Sequence, residues 1–209
     1  MEFQPWPKIP RYNRGILITE KIDGTNAQLR FTPVDGDPQA PENQKILEGS
    51  ATNLIVPGFD RRIAVHVGSR KRWLQPGKHT DNFGFAGWAV ERAQELYDAL
   101  GMGGHYGEWY GVGIQRGYGL VERRLALFNT DKAPAIEHLD NVEVVPEMYR
   151  GPMGKDPNDL VNYLNASGSL AVPGWMKPEG VVIYHLAART SFKILCENDD
   201  VPKGNTDDS

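Results

Sequence analysis

The chain is 209 residues long, 40% apolar and 24% charged, with a formal net charge of −4. That length supports one domain with a substantial core, no apolar run approaches the ~20 residues of a membrane span, and the charge balance argues against a protein that coats nucleic acid through bulk electrostatics. Cys196 is the single cysteine, so no intramolecular disulfide can form and a reducing cytoplasm fits best; the opening MEFQPWPKIP lacks the apolar stretch of a signal peptide.

Fifteen prolines and 23 glycines imply many turns and a strand-rich chain. Residues 15–20 (GILITE) and 26–32 (NAQLRFT) read as two strands flanking a turn at Lys21. Residues 33–60, rich in Pro, Asp, Gly and Asn, read as a loop-rich insertion, and 62–68 (RIAVHVG) alternates as a strand. From Phe85 the apolar positions Trp88, Ala89, Ala93, Leu96, Tyr97 and Leu100 recur at helical spacing until Gly101, which predicts one amphipathic helix. Strand-like pieces follow at 104–110, 123–129 and 142–146. Asp156-Pro157 opens a second helix through about Leu164, with Asp as cap and Pro at the first helical position. Strands at 180–185 and 190–196 complete the core, and Cys196 reads as a small buried residue. Many strands and few helices in irregular order predict an α+β fold with mainly antiparallel sheets and a few flanking helices. The expectation is a single monomeric domain over 1–209, with an acidic, flexible tail from 197.

Chemistry concentrates first in Thr19–Asn26, TEKIDGTN, where a lysine ends a short apolar run beside two carboxylates and a glycine. A nucleophilic lysine must spend part of its time uncharged, and the glycine lets the backbone turn and approach a ligand. Downstream, Ser69-Arg70 follows the third strand, Gly107-Glu108-Trp109-Tyr110-Gly111 closes another and runs on through Gly113-Ile114-Gln115, Pro178-Glu179-Gly180 opens the penultimate strand, and Ser191-Phe192-Lys193 lies on the last. Each sets a charged residue at the edge of an apolar strand. Between residues 61 and 78 lie Arg61, Arg62, Arg70, Lys71, Arg72 and Lys78 with no acidic residue among them, a basic patch suited to phosphates. The five histidines lack ligand spacing.

These motifs, in this order over residues 15–195, resemble the covalent nucleotidyltransferases: ATP-dependent DNA and RNA ligases and GTP-dependent mRNA capping enzymes. TEKIDGTN with GEWYGVGIQRG looks most like the RNA ligases of the phage T4 RNA ligase 2 type. The resemblance implies a nucleotidyltransferase (ATP-grasp-like ligase) domain in which Lys21 takes AMP from ATP, passes it to an RNA 5′-phosphate, and a 3′-hydroxyl then seals the strand, as in repair of RNA ends or a nicked duplex. Glu20 and the backbone near Ile22 would face the adenine, with Asp23 and Gly24 completing the lysine motif. Glu108 would bind a ribose hydroxyl and Phe128 would stack on the purine. Arg70 would reach the ribose or the incoming phosphate, Lys193 would contact the α-phosphate, Asn26 would serve the sealing step, and Glu179 would hold Mg²⁺ or Mn²⁺. Phosphoryl transfer depends on such positioning and charge neutralisation. Glu20 and Asp23 beside Lys21 favour its ammonium form, and Lys193, Arg70 or the metal is expected to offset them.

Three features depart from that pattern. Asp23 stands where the phage RNA ligases often carry histidine, as in DNA ligases and capping enzymes. Ser191, Lys193 and Leu195 share one strand face, so Lys193 is the only lysine where two are usual, with Arg189 or Lys203 as substitutes. The expectation is also of a catalytic domain without the C-terminal nucleic-acid-gripping domain, an OB-fold in DNA ligases. The alternatives are a DNA or mixed-strand ligase, an end-adenylylating enzyme, and a non-catalytic nucleotide-binding module.

Overall fold

Strand alternation builds most of the protein, and the side of each strand that carries apolar residues fixes what it packs on. The computed structural model describes residues 2–55, 61–197 and 199, with Arg61 by its backbone alone. In chain order the elements are β1 (Ile16–Lys21), β2 (Thr25–Asp35), α1 (Pro41–Leu47), β3 (Thr52–Ile55), β4 (Arg61–Gly68), β5 (Trp73–Leu74), α2 (Phe85–Glu91), α3 (Ala93–Leu100), β6 (Gly103–Gly111), β7 (Arg123–Leu127), a 3₁₀ turn (Thr130–Lys132), α4 (Ala133–Ile136), β8 (Val142–Val144), β9 (Glu147–Gly151), α5 (Pro157–Ser167), β10 (Gly180–His185) and β11 (Thr190–Leu195). The architecture is α+β with mainly antiparallel sheets, and the chain divides into two compact units, Met1–Ile22 with Pro146–Ser209, and Asp23–Val145.

The first unit holds an antiparallel sheet in the order β11-β10-β1-β9. Ile16 and Ile18 of β1, Val181 and Ile183 of β10 and Ile194 of β11 bury one face against Val161 and Leu164 of α5. Asp156 caps that helix by accepting from Asn158 N at 2.9 Å. The second unit holds a sheet in the order β3-β4-β2-β6-β7-β8, with β5 beside β4. Its pairs are antiparallel except β7 with β8, which run parallel. Ala27, Leu29 and Phe31 of β2, Val65 and Val67 of β4, and Trp109 of β6 pack with Phe85, Ala89, Ala93 and Leu96 of α2 and α3. Asn26 and Gln28 point to the other face of the same sheet, as the period of two requires.

Two expectations change. Residues 33–60 are not simply a loop: β2 runs on to Asp35, α1 and β3 follow, and residues 56–60 lie outside the described residues. β2 leaves β6 after Phe31, and a strand with one free side tolerates Pro33. Asn43 of α1 is buried and donates to Asp35 O and Asp37 O at 2.8 and 2.9 Å, which ties the segment down. The predicted helix from Phe85 is two helices broken at Arg92, whose φ is −107° and ψ 11°. Its guanidinium covers the Trp88 ring at 4.9 Å and bonds Glu95. Both pieces keep one apolar face, so periodicity alone sees a single stripe. Of the expected acidic tail over 197–209, all but Glu197 and Asp199 falls outside the described residues. Among the described residues no helix is long and apolar enough to cross a membrane.

The start of α2 depends on Asp81, whose carboxylate accepts from Ala86 N at 2.7 Å and Gly87 N at 3.0 Å. Asp81→Ala strips those helix donors of their partner and is expected to lower stability by about 1–2 kcal/mol, read as a shift of the urea midpoint at constant slope.

Candidate active site

The nominated residues fall into two groups, one in each unit. In the first unit Lys21 is the last residue of β1 and lies opposite Gly180 in the β1–β10 register. Its Nζ donates to Glu179 Oε2 at 2.7 Å, with the two side chains 23% and 13% exposed. Gly180 is required by the close approach of β11: its φ is +150°, and a Cβ there would stand 2.1 Å from Ile194 O. The other oxygen of Glu179 has no bond among the described residues. Lys193 pairs with Val182, which pairs with Thr19. Directly opposed residues share a face, so Lys193, exposed, lies on the face of this sheet that carries Lys21.

Glu20, the next residue back, points the other way, onto the face that carries Ile16 and Ile18. It is 1% exposed, and its carboxylate accepts from Ser169 Oγ at 2.6 Å, Leu170 N at 2.7 Å and Ala171 N at 2.9 Å. The partner of Lys21 is therefore Glu179 and not a flanking carboxylate. Glu20 instead fastens the 169–171 loop to the strand that presents the lysine. Ile22 is buried at 3% exposure.

In the second unit the rest of the lysine motif is held by β6 and the segment after it. Glu108, 9% exposed, accepts from Gly24 N and Asn26 Nδ2, both at 3.2 Å. Gly24 has no room for a side chain, since a Cβ would meet Trp109 O at 2.5 Å and Tyr110 Cβ at 2.8 Å. Arg116 Nε donates to Asp23 Oδ2 at 2.9 Å, and Asp23 N donates to Tyr118 Oη at 2.8 Å. The Tyr118 ring meets Tyr110 edge-on with centroids 5.3 Å apart, and Tyr110 donates to Glu143. Burial, and then the neighbouring Glu143, push the Tyr110 phenol well above the ordinary tyrosine range.

The sheet face bearing Asn26 and Glu108 also bears Phe128, whose N donates to Tyr106 O at 2.9 Å. A shallow depression there is lined by Asn26, Gln28, Arg70, Tyr106 and Phe128 among others. Phe128 is 43% exposed, so its ring is an available face and not core filling. Arg70 is exposed and has no partner among the described residues. The basic patch is divided. Arg61 and Arg62 open β4, while Arg70 and Lys71 follow its far end, about 20–25 Å away at the rise of a strand. Arg72 is committed to Thr80 O and Asp81 O at 2.8 and 3.2 Å, which leaves Arg70, Lys71 and Lys78 exposed on the loop side. Arg61's side chain lies outside the description.

Sequence reasoning missed Arg116, Tyr118, Tyr106 and Ser169. Arg116 falls within GEWYGVGIQRG and Tyr118 follows it between Gly117 and Gly119, and a charged and an aromatic residue within a glycine-rich stretch were the available signal. Ser169 carried none, because its partner lies 149 residues away. Among the described residues no three His, Cys, Asp or Glu side chains gather as a metal cluster. A cation here would rely on the free carboxylate oxygen of Glu179 with phosphate and water oxygens, which suits Mg²⁺ or Mn²⁺.

The chain thus sets a strand-end lysine paired to a carboxylate, and a β6 glutamate holding the lysine motif, on an α+β fold of two mainly antiparallel sheets. A sequence model for RNA ligase matches residues 14–195, and the chain belongs to the RNA ligase family. Its fold is similar to that of the Naegleria gruberi RNA ligase, solved in mutant forms with ATP and Mn: one has a TM-score of 0.53 and 17% identity over 88% of this chain and 50% of that one. A second has a TM-score of 0.52 at 17% identity with the same coverage, and a form with AMP and Mn has 0.50 at 16% identity over 87% and 49%. This chain thus spans about half the length of those structures. No curated protein matches the chain.

Two outcomes follow from this geometry. Glu20→Ala leaves three donors of the 169–171 loop unsatisfied in a buried setting and is expected to cost about 3 kcal/mol, measured by urea unfolding. Tyr110 stays protonated in the folded protein, whereas an unfolded tyrosine ionises near 10. Above that pH the folded state holds a proton that the unfolded state has lost, so stability falls as pH rises, by up to about 1.4 kcal/mol per pH unit. Urea midpoints from pH ~9 to ~11 should show this decline, and Tyr110→Phe should flatten it.

Proposed function

We propose that the protein is an ATP-dependent RNA ligase of the phage T4 RNA ligase 2 type that carries AMP on Lys21. The observation that carries this reading is the Lys21 amine closing β1 and held 2.7 Å from Glu179. Before attack the ammonium must shed a proton, and Glu179 is the acceptor at hydrogen-bond distance among the described residues. The free amine attacks the α-phosphorus of ATP; the N–P bond forms as the bond to the β-phosphate breaks, and pyrophosphate leaves. An oxygen of an RNA 5′-phosphate then displaces the lysine, giving an adenylylated end. Finally a 3′-hydroxyl attacks that 5′-phosphate, the new phosphodiester forms, and AMP departs.

The other residues supply position and charge. Lys193, on the Lys21 face of its sheet, would contact the α-phosphate, and Arg70 would meet the ribose or the incoming phosphate, where negative charge grows. Phe128 offers its ring to the purine, a contact worth ~1–3 kcal/mol. Glu108 would accept from a ribose hydroxyl while keeping Gly24 and Asn26 in place, and Asn26 would act in sealing. Asp23, held by Arg116, fixes the turn after the nucleophile. Glu179 would hold a divalent cation, which when bound would neutralise phosphate charge.

The test is sealing of nicked duplexes with RNA or DNA on either side of the break. The expected result is sealing where the 3′-hydroxyl strand is RNA, none with Lys21→Ala, and a rate loss of roughly 10²–10³-fold with Arg70→Ala. Sealing confined to all-DNA nicks would move the substrate to DNA, the assignment that Asp23 favours. Nucleotide binding without any transfer of AMP would leave a binding module.

A further inference from the structure

The residues before β1 form no helix or strand, yet they are regularly patterned. Phe3, Trp6, Ile9 and Tyr12 recur every third residue and are 78–85% exposed. Lys8, Arg11 and Arg14 recur at the same interval, are exposed, and make no ion pair among the described residues. Pro5, Pro7 and Pro10 fix their own φ and push Gln4, Trp6 and Ile9 into extended conformations. Over residues 3–11 such a restriction favours three residues per turn, which sets Phe3, Trp6 and Ile9 along one ridge and Lys8 and Arg11 along another; the chain then bends at 12–14, where Arg14 N donates to Tyr12 O at 2.8 Å. The root of the segment is pinned: buried His185 donates from Nε2 to Tyr12 O at 2.8 Å, and Leu186 N donates to Gly15 O at 3.1 Å. Four large apolar side chains left in water beside three unpaired cations call for a partner that takes both.

We infer that residues 3–14 bind a single-stranded stretch of RNA, with Trp6, Phe3 and Tyr12 stacking on bases and Lys8, Arg11 and Arg14 meeting phosphates. Neighbours on one ridge stand about 9 Å apart along the segment, against ~3.4 Å between stacked bases. Only a strand whose bases can splay apart fits that spacing, and a duplex keeps its base faces covered. Tyr12 and Lys21 lie at opposite ends of β1, which spans about 17 Å. The root of the segment therefore lies at the far end of β1 from the reacting lysine. RNA as the class of strand rests on the proposed function, while binding can be measured without ATP and so apart from it.

The experiment is fluorescence anisotropy with a labelled single-stranded RNA of about 12 nucleotides, in parallel with formation of lysyl-AMP from ATP. Replacing Phe3, Trp6 and Tyr12 together by Ala is expected to weaken binding by roughly tenfold or more. Replacing Lys8, Arg11 and Arg14 by Gln is expected to flatten the slope of log affinity against log salt by about 2. Both variants should form lysyl-AMP at the unaltered rate. Unchanged RNA affinity and salt slope would overturn the inference. So would a loss of binding to phosphatidylserine vesicles with RNA binding intact, which would make the segment a membrane contact. Equal loss of lysyl-AMP formation would place it in the chemistry and overturn the separation claimed here.

Discussion

The account depends on the ion pair between Lys21 and Glu179, and that pair is a product of strand register. β1 and β10 align so that Lys21 faces Gly180, and the carboxylate one residue earlier is then within reach. On its other side β10 tolerates no side chain at position 180, because Ile194 O of β11 occupies the space. Alternation along β1 does the rest. Glu20 and Lys21 are adjacent in sequence but serve opposite faces, so the first anchors a loop in the core while the second presents an amine. Two acidic groups beside a nucleophilic lysine are a liability only if both can touch it, and the pleat together with Arg116 keeps Glu20 and Asp23 occupied elsewhere.

A second constraint governs the turn after the lysine. Side chains of Glu108, Arg116 and Tyr118 hold Asp23, Gly24 and Asn26. Behind them Tyr110 and Glu143 back the Tyr118 ring. Glu108 thus has a structural task, since it satisfies a backbone donor of the motif itself. Phosphoryl transfer depends heavily on placement, and a turn fixed by side chains of β6 and the segment after it is suited to that demand.

The strands were legible as short apolar runs bounded by turn residues, as in GILITE and GVVIYH, although the burial of each face was not: β1 is buried on both faces, and β11 (TSFKIL) has no buried residue. Asp156-Pro157 announced α5 through cap chemistry. α1 and β3 hid behind a composition of Pro, Asp and Gly that belongs equally to turns, and β9 is too short and mixed (EMYRG) to alternate convincingly. The break at Arg92 left no periodic trace. Among the proposed site residues, the lysine motif, Glu108, Arg70, Phe128 and Glu179 could be nominated because each sets a charged, polar or aromatic group at or near a strand end. Their partners could not: Ser169 meets Glu20 and Arg116 meets Asp23 across 149 and 93 residues. Pairings at such separation follow from tertiary packing, which local pattern does not encode.

The most direct measurement is where AMP becomes attached. After treatment with pyrophosphate to strip any nucleotide already bound covalently, the protein is incubated with ATP and Mg²⁺, digested, and its peptides fragmented in a mass spectrometer. The account requires one AMP, joined to the side chain of Lys21 through an acid-labile bond. AMP on Lys193 or any other residue, or a fully active preparation carrying none, would contradict it.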